Sequence, residues 1–417
     1  MPNLPFNKYT VFEQALGLEQ PWSIKDVQLS QELGRLDIDL QYIKGCTFSC
    51  PQCNQSLGIY RTRKRTWKHL NFFQYEAYLH VKLPEIQCPD CGITRAVPVS
   101  WARPNSGFTL LFESMTLELA QVIPLSIVGR ILAEYSDRLF RIITYYVNKA
   151  REKLDFSQVS RLCIDETSKR KGHNYITVFT DPDKQRVLFA TSGKDHTTVK
   201  RFNTDFKQHG GDPEKIQECC IDLSPAFLKG VKVNLPQAEV TIDPFHVIAL
   251  MNEAVDKVRR QEVKDQPLLK HSRYAVLKNP DKLTEIQEEK LNSISKAQLK
   301  TGRAYQIRLA LQEIYRSSHQ QQAEMLLKKW YFWATHSRLK PVIKIAKTIK
   351  KHWDEILNHF TSQLSNGLSE GINSIIQGLK RRARGYKNTE NLITMVYLLK
   401  GKLQFDLQPV TQLTYYR

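Results

Sequence analysis

Three acidic residues of this 417-residue chain stand where carboxylates can share metal ions. Asp165 closes the apolar run RLCID, and Asp222 closes a second run, ECCID. Both runs read as short buried strands. Each acid then falls at the carboxyl edge of a sheet, where open α/β sheets build their sites. A buried carboxylate is costly without a compensating partner. A divalent cation is one such partner, and two carboxylates can share it. Glu370 lies on a helix on which Asn373, Gln377 and either Lys380 or Arg381 follow at spacings of three and four, so one face carries an acid, an amide and then cations. That face suits a metal held near a phosphate backbone. Two-metal phosphoryl transfer needs about three carboxylates around ions ~3.5–4 Å apart. Singly, each acid has a plainer reading. Asp165 reads as a turn residue before Thr167, Asp222 as the N-cap of a helix at Pro225, and Glu370 as a first-turn acid favoured by the helix dipole. The joint pattern favours the metal site.

A second set of ligand-forming residues lies upstream. Cys50-Pro-Gln-Cys53 and Cys88-Pro-Asp-Cys91 have the form of a zinc ribbon, in which two CxxC turns present four thiolates tetrahedrally to one ion. Residues 54–87 between the pairs exceed the usual ribbon spacing and leave room for a longer hairpin. The plainer reading is two unlinked cysteine turns. Cys46 is a bystander. Cys163, Cys219 and Cys220 sit in apolar runs and read as core. A small zinc module builds little core of its own and is held by its metal. The stretch between the pairs is basic, and Arg63, Lys64 and Arg65 are candidates to lie against nucleic-acid phosphates.

Charge supports a polyanionic partner. Lysine and arginine total 61 against 42 acids, a formal net charge of +19. The alternative is a basic protein without such a partner. No run approaches the ~20 apolar residues of a membrane span, and the N-terminus has no signal-peptide pattern. The expected place of action is the cytoplasm.

The elements that must position these groups follow from periodicity. Alternation around Tyr75, Ala77, Leu79 and Val81 predicts a short strand. From Thr109 to about Lys153 the spacing becomes helical, with Pro124 opening a second helix and Ser136-Asp137 capping a third, a helix-turn-helix pattern that a plain helical linker shares. RLCIDET, YITVFTD and RVLFATS then read as three strands, with turns at Lys171-Gly172 and Asp181-Pro-Asp183. A helix over 197–209, the strand ECCID, a helix from Pro225 to Val233 and the strand AEVTID complete a mixed α/β sheet. More than a hundred helical residues follow from Pro244. They include a polar stretch from Lys282 to Lys329, a helix from Val342 to Phe360, and a break at Ser365-Asn366-Gly367 that caps a helix from Leu368 to Lys380. Trp330 and Trp333 are candidates for base stacking, although that spacing more often marks helix core.

The chain resembles an insertion-sequence transposase of the ISL-three family. The resemblance covers nearly its whole length, through CPQC and CPDC, CIDETSKRKGHNYITVFTD, IDLSPAF, TIDPFHVIALMNEAVDKVRR, SRLKPVIKIAKTIKKHWDEIL and LSNGLSEGINSIIQGLKRRARGYKN. Its most specific elements are N-G-x-x-E-G-x-N followed by K-R-R-A-R-G-Y, and D-P-F-H-V after a strand. The resemblance implies a ribonuclease H-like mixed sheet with a DDE triad, its first and fourth strands side by side at the centre. Asp165 matches the first acid and Glu370 the last. The middle acid has two candidates. Asp222 ends the fourth strand and Asp243 the fifth. With strands ~4.8 Å apart, Asp222 reaches a shared metal more easily. Asp243 and His246 resemble the C/D-x-x-H element of Mutator-like transposases and take a supporting role, unless His246 is simply a satisfied histidine at the sheet edge.

The implied organisation is a zinc-ribbon DNA-binding domain over 1–105 and a helix-turn-helix over 106–155. The catalytic domain spans 156–246 and 361–417, interrupted by an α-helical insertion over 247–360. The implied cofactors are Mg2+ or Mn2+ at the triad and Zn2+ at the cysteines. The implied partners are double-stranded transposon ends and target DNA, bound by a homodimer at the nucleoid of a prokaryote. Lys380, Arg381, Arg382 and Arg384 are the late DNA-binding candidates. Rival readings are a catalytically inactive zinc-dependent DNA-binding regulator and a metal-dependent nuclease that only hydrolyses.

Overall fold

The structure, a computed structural model, describes residues 8–170 and 174–407. The turn expected at Lys171-Gly172 lies outside the described residues. The chain divides into two compact units. One runs up to Ala150 and resumes at Gln404, and the other is Arg151–Leu403.

The first unit opens with α1 (Thr10–Ala15), β1 (Trp22–Ser30) and β2 (Arg35–Tyr42), then the two-residue strands β3 (Phe48–Ser49) and β4 (Ser56–Leu57). Three more strands follow: β5 (Arg61–Lys68), β6 (Glu76–Cys88) and β7 (Ile93–Ala96). The sheet order is β1-β2-β6-β5, with β7 pairing β6. The strand expected near Tyr75–Val81 is thus longer than its alternation suggested. Leu83, Ile86 and Cys88 continue the buried side chains beyond Val81. The small zinc module expected here also proves to have its own core. Trp22, Ile38, Trp67, Leu79 and Trp101 pack together, and Cys50 and Cys88 belong to the same cluster.

Three helices complete this unit: α2 (Leu110–Val122), α3 (Leu125–Ile131) and α4 (Ser136–Arg151). Ser136 begins α4 rather than preceding it. The carboxylate of Glu113 on α2 is fully buried. It accepts from Arg103 Nε at 3.0 Å, Ser106 Oγ at 2.6 Å and Tyr146 Oη at 2.6 Å. Satisfying it on every side is what makes its burial tolerable.

The second unit begins with β8 (Arg161–Arg170), β9 (Asn174–Asp181), β10 (Arg186–Ser192), α5 (Thr197–Gln208), β11 (Glu218–Ile221), α6 (Pro225–Asn234) and β12 (Glu239–Ile242). The sheet order is β10-β9-β8-β11-β12. β9 is antiparallel to both β8 and β10, while β11 runs parallel to β8 and to β12. Side chains alternate across the sheet. Leu162, Ile164, Cys219 and Ile221 face Phe202, Phe206, Phe227 and Val231 of α5 and α6. Cys163 and Cys220 face the other way, against Leu364.

A long helical stretch follows: α7 (Pro244–Glu262), α8 (Arg273–Leu277), α9 (Glu285–Lys296), α10 (Lys300–Ile314), α11 (Gln320–Thr335), α12 (Lys340–Lys351), α13 (Trp353–Leu357) and α14 (His359–Ser362). These helices share one apolar core, which includes Trp330 and Tyr305. Trp330 is buried and donates its Nε1–H to Ile307 O at 2.8 Å, whereas Trp333 is 40% exposed. The single helix expected over Val342–Phe360 is broken into α12, α13 and α14. His352 leaves helical geometry at φ −117°, and Trp353 beyond it joins the core. At the next break, Asn358 Nδ2 donates to Val240 O at 3.0 Å, which holds the turn on β12. Two helices close the unit, α15 (Gly367–Arg382) and α16 (Thr389–Lys400).

Candidate active site and cysteine cluster

The strand register decides which acids meet. Cys163 on β8, Cys220 on β11 and Thr241 on β12 are direct neighbours across the parallel ladder. Two residues further on, and therefore on the same face, come Asp165, Asp222 and Asp243. Asp222 is the middle of the row. Asp165 does not end its strand, because β8 runs on to Arg170. It sits where β11 has stopped, so the carboxyl edge is formed by the shorter neighbour. Asp222 follows β11 directly, and its Oδ1 accepts from Ser224 N at 2.9 Å. The N-cap of α6 is Ser224, which makes no side-chain cap.

Asp243 is the N-cap residue of α7, with Pro244 at the first helical position. Its carboxylate is used elsewhere. Oδ2 accepts from His246 Nδ1 at 2.9 Å, and Oδ1 accepts from the backbone N–H of Asn366 at 3.1 Å. His246 is tied to the acid one turn earlier, a bond that the supporting role and the satisfied sheet-edge histidine share.

α15 lies against β8, pinned at its start and along one face. The Asn366 side chain does not cap the helix, contrary to the expected role of the Ser365-Asn366-Gly367 break. Instead its Nδ2 donates to Ile164 O at 3.4 Å. Asn373 Nδ2 donates to Asp165 Oδ2 at 2.7 Å, and Gln377 Nε2 donates to Thr167 Oγ1 at 2.7 Å. Lys380 Nζ donates to Gln377 Oε1 at 2.7 Å and also to Ser168 O. Glu370 stands in the first turn of this helix, with Lys380, Arg381 and Arg382 in its last turn, an arrangement that suits the helix dipole.

Electrostatics mark the same residues. Burial pushes the Asp165 carboxyl up to about 6, with Asp222 and Asp243 adding repulsion against the opposing Glu166 N–H and His246. Asp222 is raised, first by burial. Glu370 is raised by burial and then by Asp243. His246 is raised chiefly by its hydrogen bond to Asp243, which favours the imidazolium. These shifts connect Glu370 to the Asp243–His246 pair and Asp165 to both other aspartates. Glu166 joins the group through Asp222 and through Lys194, whose Nζ lies 3.9 Å from it. Sequence reading missed Glu166 and the bridging part of Asn366, although both lie inside motifs quoted above.

Among the described residues, only Cys50, Cys53, Cys88 and Cys91 bring three or more ligand atoms within 4.8 Å of one another. No three of the described acids meet that spacing. Cys50 and Cys53 lie in the β3–β4 turn, while Cys88 ends β6 and Cys91 lies in the turn before β7. Cys53 Sγ and Cys88 Sγ are 3.5 Å apart. The backbone N–H groups of Cys53 and Gln52 lower the Cys50 thiol to about 7, and Cys53 pushes Cys91 up to about 12. Four sulfur ligands at this spacing fit a tetrahedral Zn2+ site. Cys46 is outside the cluster. Arg63 and Lys64 are exposed on β5 and alternate between its faces, whereas Arg65 donates to Ser106 O at 3.1 Å. Arg381, Arg382 and Arg384 are exposed.

Two family models match the regions that hold the acids and the cysteines. A family model described as Transposase, of the ISL3 DDE type, matches residues 162–396. A second, the zinc-finger of transposase IS204/IS1001/IS1096/IS1165, matches residues 47–91. The transposase for insertion sequence element IS1557 of Mycobacterium tuberculosis is 27% identical over 424 residues, covering 93% of this chain and 94% of that protein. The transposase for insertion sequence element IS1001 of Bordetella parapertussis is 27% identical over 390 residues, covering 90% of this chain and 95% of that protein. The first match takes in the aspartate row, all the helices from α5 to α15 and Glu370, more than half of the molecule, and the chain belongs to the ISL3 (ISL-three) family of transposases.

Proposed function

We propose that the protein binds the terminal inverted repeats of an insertion sequence, cleaves DNA strands there and joins the freed 3′ hydroxyl to target DNA. Asp165, Asp222 and Glu370 are the metal-holding triad. The observation that carries this reading is the in-register row of aspartates with the Glu370 helix pinned across its first member. The donor set is all oxygen, which suits Mg2+ or Mn2+. The buried Oδ1 atoms of Asn366 and Asn373 have no hydrogen-bond partner, as groups prepared for such a site would. When bound, the ions supply polarisation of the attacking oxygen and stabilisation of the leaving oxygen.

The chain's own residues do the rest. Asn373 keeps Asp165 turned toward the centre. Asp243 holds His246 by Nδ1, and the imidazolium faces the DNA backbone as a hydrogen-bond donor. Arg381, Arg382 and Arg384 follow Glu370 along the phosphates. The sheet, with order β10-β9-β8-β11-β12, is the ribonuclease H-like catalytic domain, formed from 156–246 and from 361 to Leu403 around a helical insertion over 247–360; the expected reach to 417 is shortened because the chain from Gln404 groups with the first unit. The segment 1–105 reads the ends through its zinc ribbon with Arg63, Lys64 and Arg65, helped by a helix-turn-helix over 106–155. Two copies act on paired ends.

The test is a labelled duplex carrying one transposon end, incubated with the protein and Mg2+ or Mn2+. Nicking followed by joining to a second duplex is expected. Binding without cleavage would identify a regulator, and cleavage without joining a nuclease.

Proton linkage offers a separate check on the metal reading. The folded value of Asp165, about 6, lies above the ~3.9 of an unfolded aspartate. In metal-free protein its contribution to stability is therefore fully present below about pH 4 and is lost as pH rises through about 6. A cation reverses that loss by binding the ionised form. The rise in melting midpoint on adding Mg2+ is expected to be small at pH 5 and clearly larger at pH 7. A rise of equal size at both pH values would count against Asp165 as a ligand.

A further inference from the structure

Asn373 lies one helical turn after Glu370 on α15, so both side chains leave the same face. Its Nδ2 donates to Asp165 Oδ2 at 2.7 Å. An ionised carboxylate only accepts hydrogen bonds, so this contact fixes which end of the amide is nitrogen. Oδ1 shares a carbon with that nitrogen and therefore stays close to the Asp165 carboxylate. It is buried and has no hydrogen-bond partner. An orphaned buried carbonyl costs about 1–3 kcal/mol.

The contrast along the helix is informative. One turn later, Gln377 uses both ends of its amide. Its Nε2 serves Thr167 and Ser168, and its Oε1 accepts from Lys380. Away from the acids the amide is satisfied, and beside them its oxygen is left open. Asn366 repeats the pattern. It is fully buried, its N–H and Nδ2 hold Asp243 and Ile164 O, and its Oδ1 is unpaired.

Three carboxylates do not fill the oxygen shell of a hard divalent ion. A fourth carboxylate would deepen the repulsion among the acids already present. A neutral amide oxygen adds a ligand without adding charge. We infer that Asn373 is itself a metal ligand, its amide oxygen entering the shell of the ion held by Asp165 and Glu370 while its amide nitrogen keeps Asp165 in place. The inference rests on the triad reading above and goes one residue beyond it.

Ligand exchange with a softer ion tests it by binding alone. Mn2+ binding to the zinc-loaded, full-length protein is followed by electron paramagnetic resonance, with Cd2+ as competitor. Exchange of Cd2+ into the cysteine cluster does not displace Mn2+ from the acids. In Asn373→Cys, Cd2+ is expected to displace Mn2+ at a concentration at least about tenfold lower than in the native protein, because a thiolate prefers the softer ion. Identical displacement curves would leave Asn373 as a support for Asp165 only and overturn the inference. Asn373→Asp keeps an oxygen but cannot donate to Asp165, and Asn373→Ala removes both. Mn2+ affinity is expected to hold in the first and fall about 10- to 100-fold in the second. An equal loss in both would also overturn it. Failure of the native protein to bind Mn2+, or native-like binding by Asp165→Asn, would instead reject the triad reading.

Discussion

Replacing Asp222 by alanine is expected to lower cleavage of labelled end DNA by at least about a thousandfold, equivalent to ~4 kcal/mol of transition-state stabilisation. Binding of the same DNA should stay within about twofold. Asp222 stands between Asp165 and Asp243 in the row across β8, β11 and β12, and among the described residues its carboxylate accepts one hydrogen bond, the turn contact from Ser224 N. Asp243 is committed to Asn366 and His246. Asp243→Ala should therefore lower the melting midpoint as well as activity, since it leaves two donors without their acceptor at about 1–3 kcal/mol. Measuring single-turnover cleavage and thermal stability for both variants separates the two acids. Normal cleavage by Asp222→Ala beside a folded but inactive Asp243→Ala would move the middle acid to β12.

The second large effect concerns zinc. Metal analysis of the reduced protein is expected to give one zinc per chain, and Cys88→Ser to abolish it. Structural zinc in free-standing modules binds with about 10–16 kcal/mol, as much as the ~5–15 kcal/mol that holds an average domain together. Here Cys50 and Cys88 are fully buried within the core that contains Trp22, Trp67 and Trp101. Without the ion, the turns after β3 and β6 lose the link that joins them. End binding should fall at least tenfold in Cys88→Ser, while much of the β1-β2-β6-β5 sheet stays folded on its own core. Zinc-free native protein with unchanged end affinity would remove the ribbon from the recognition surface.

The strands of the second unit were legible because their composition is extreme. RLCIDET, ECCID and AEVTID are short, apolar and bounded by turn residues, and the order of strands and helices follows from them. What periodicity cannot supply is register. The meeting of Asp165 and Asp222 depends on Cys163 pairing with Cys220, a relation between segments more than fifty residues apart in sequence. The first unit is the least legible. The length of β6 is hidden because Pro84, Glu85 and Ile86 throw the alternation out of phase after Leu83, and β1 and β2 carry polar residues on their open face. The break-up of the helix expected over Val342–Phe360 was also hidden, since the bond from Asn358 to Val240 O is a long-range contact. Spacing alone puts Glu370 and Asn373 on one face, but nothing local to the sequence shows that Asn366 bridges β8 and Asp243.

The alternation that displays the aspartates has a consequence for how the chain folds. Ile164 and Ile221, each next to an acid in sequence, point into the phenylalanine-rich core on the opposite face. A slip of β11 by one residue would turn Ile221 outward and drive Asp222 beneath Phe227 and Val231. Burying an unpaired carboxylate there costs several kcal/mol. Long before any DNA arrives, the acids act as proofreaders of strand pairing and reject every register but the one that assembles them.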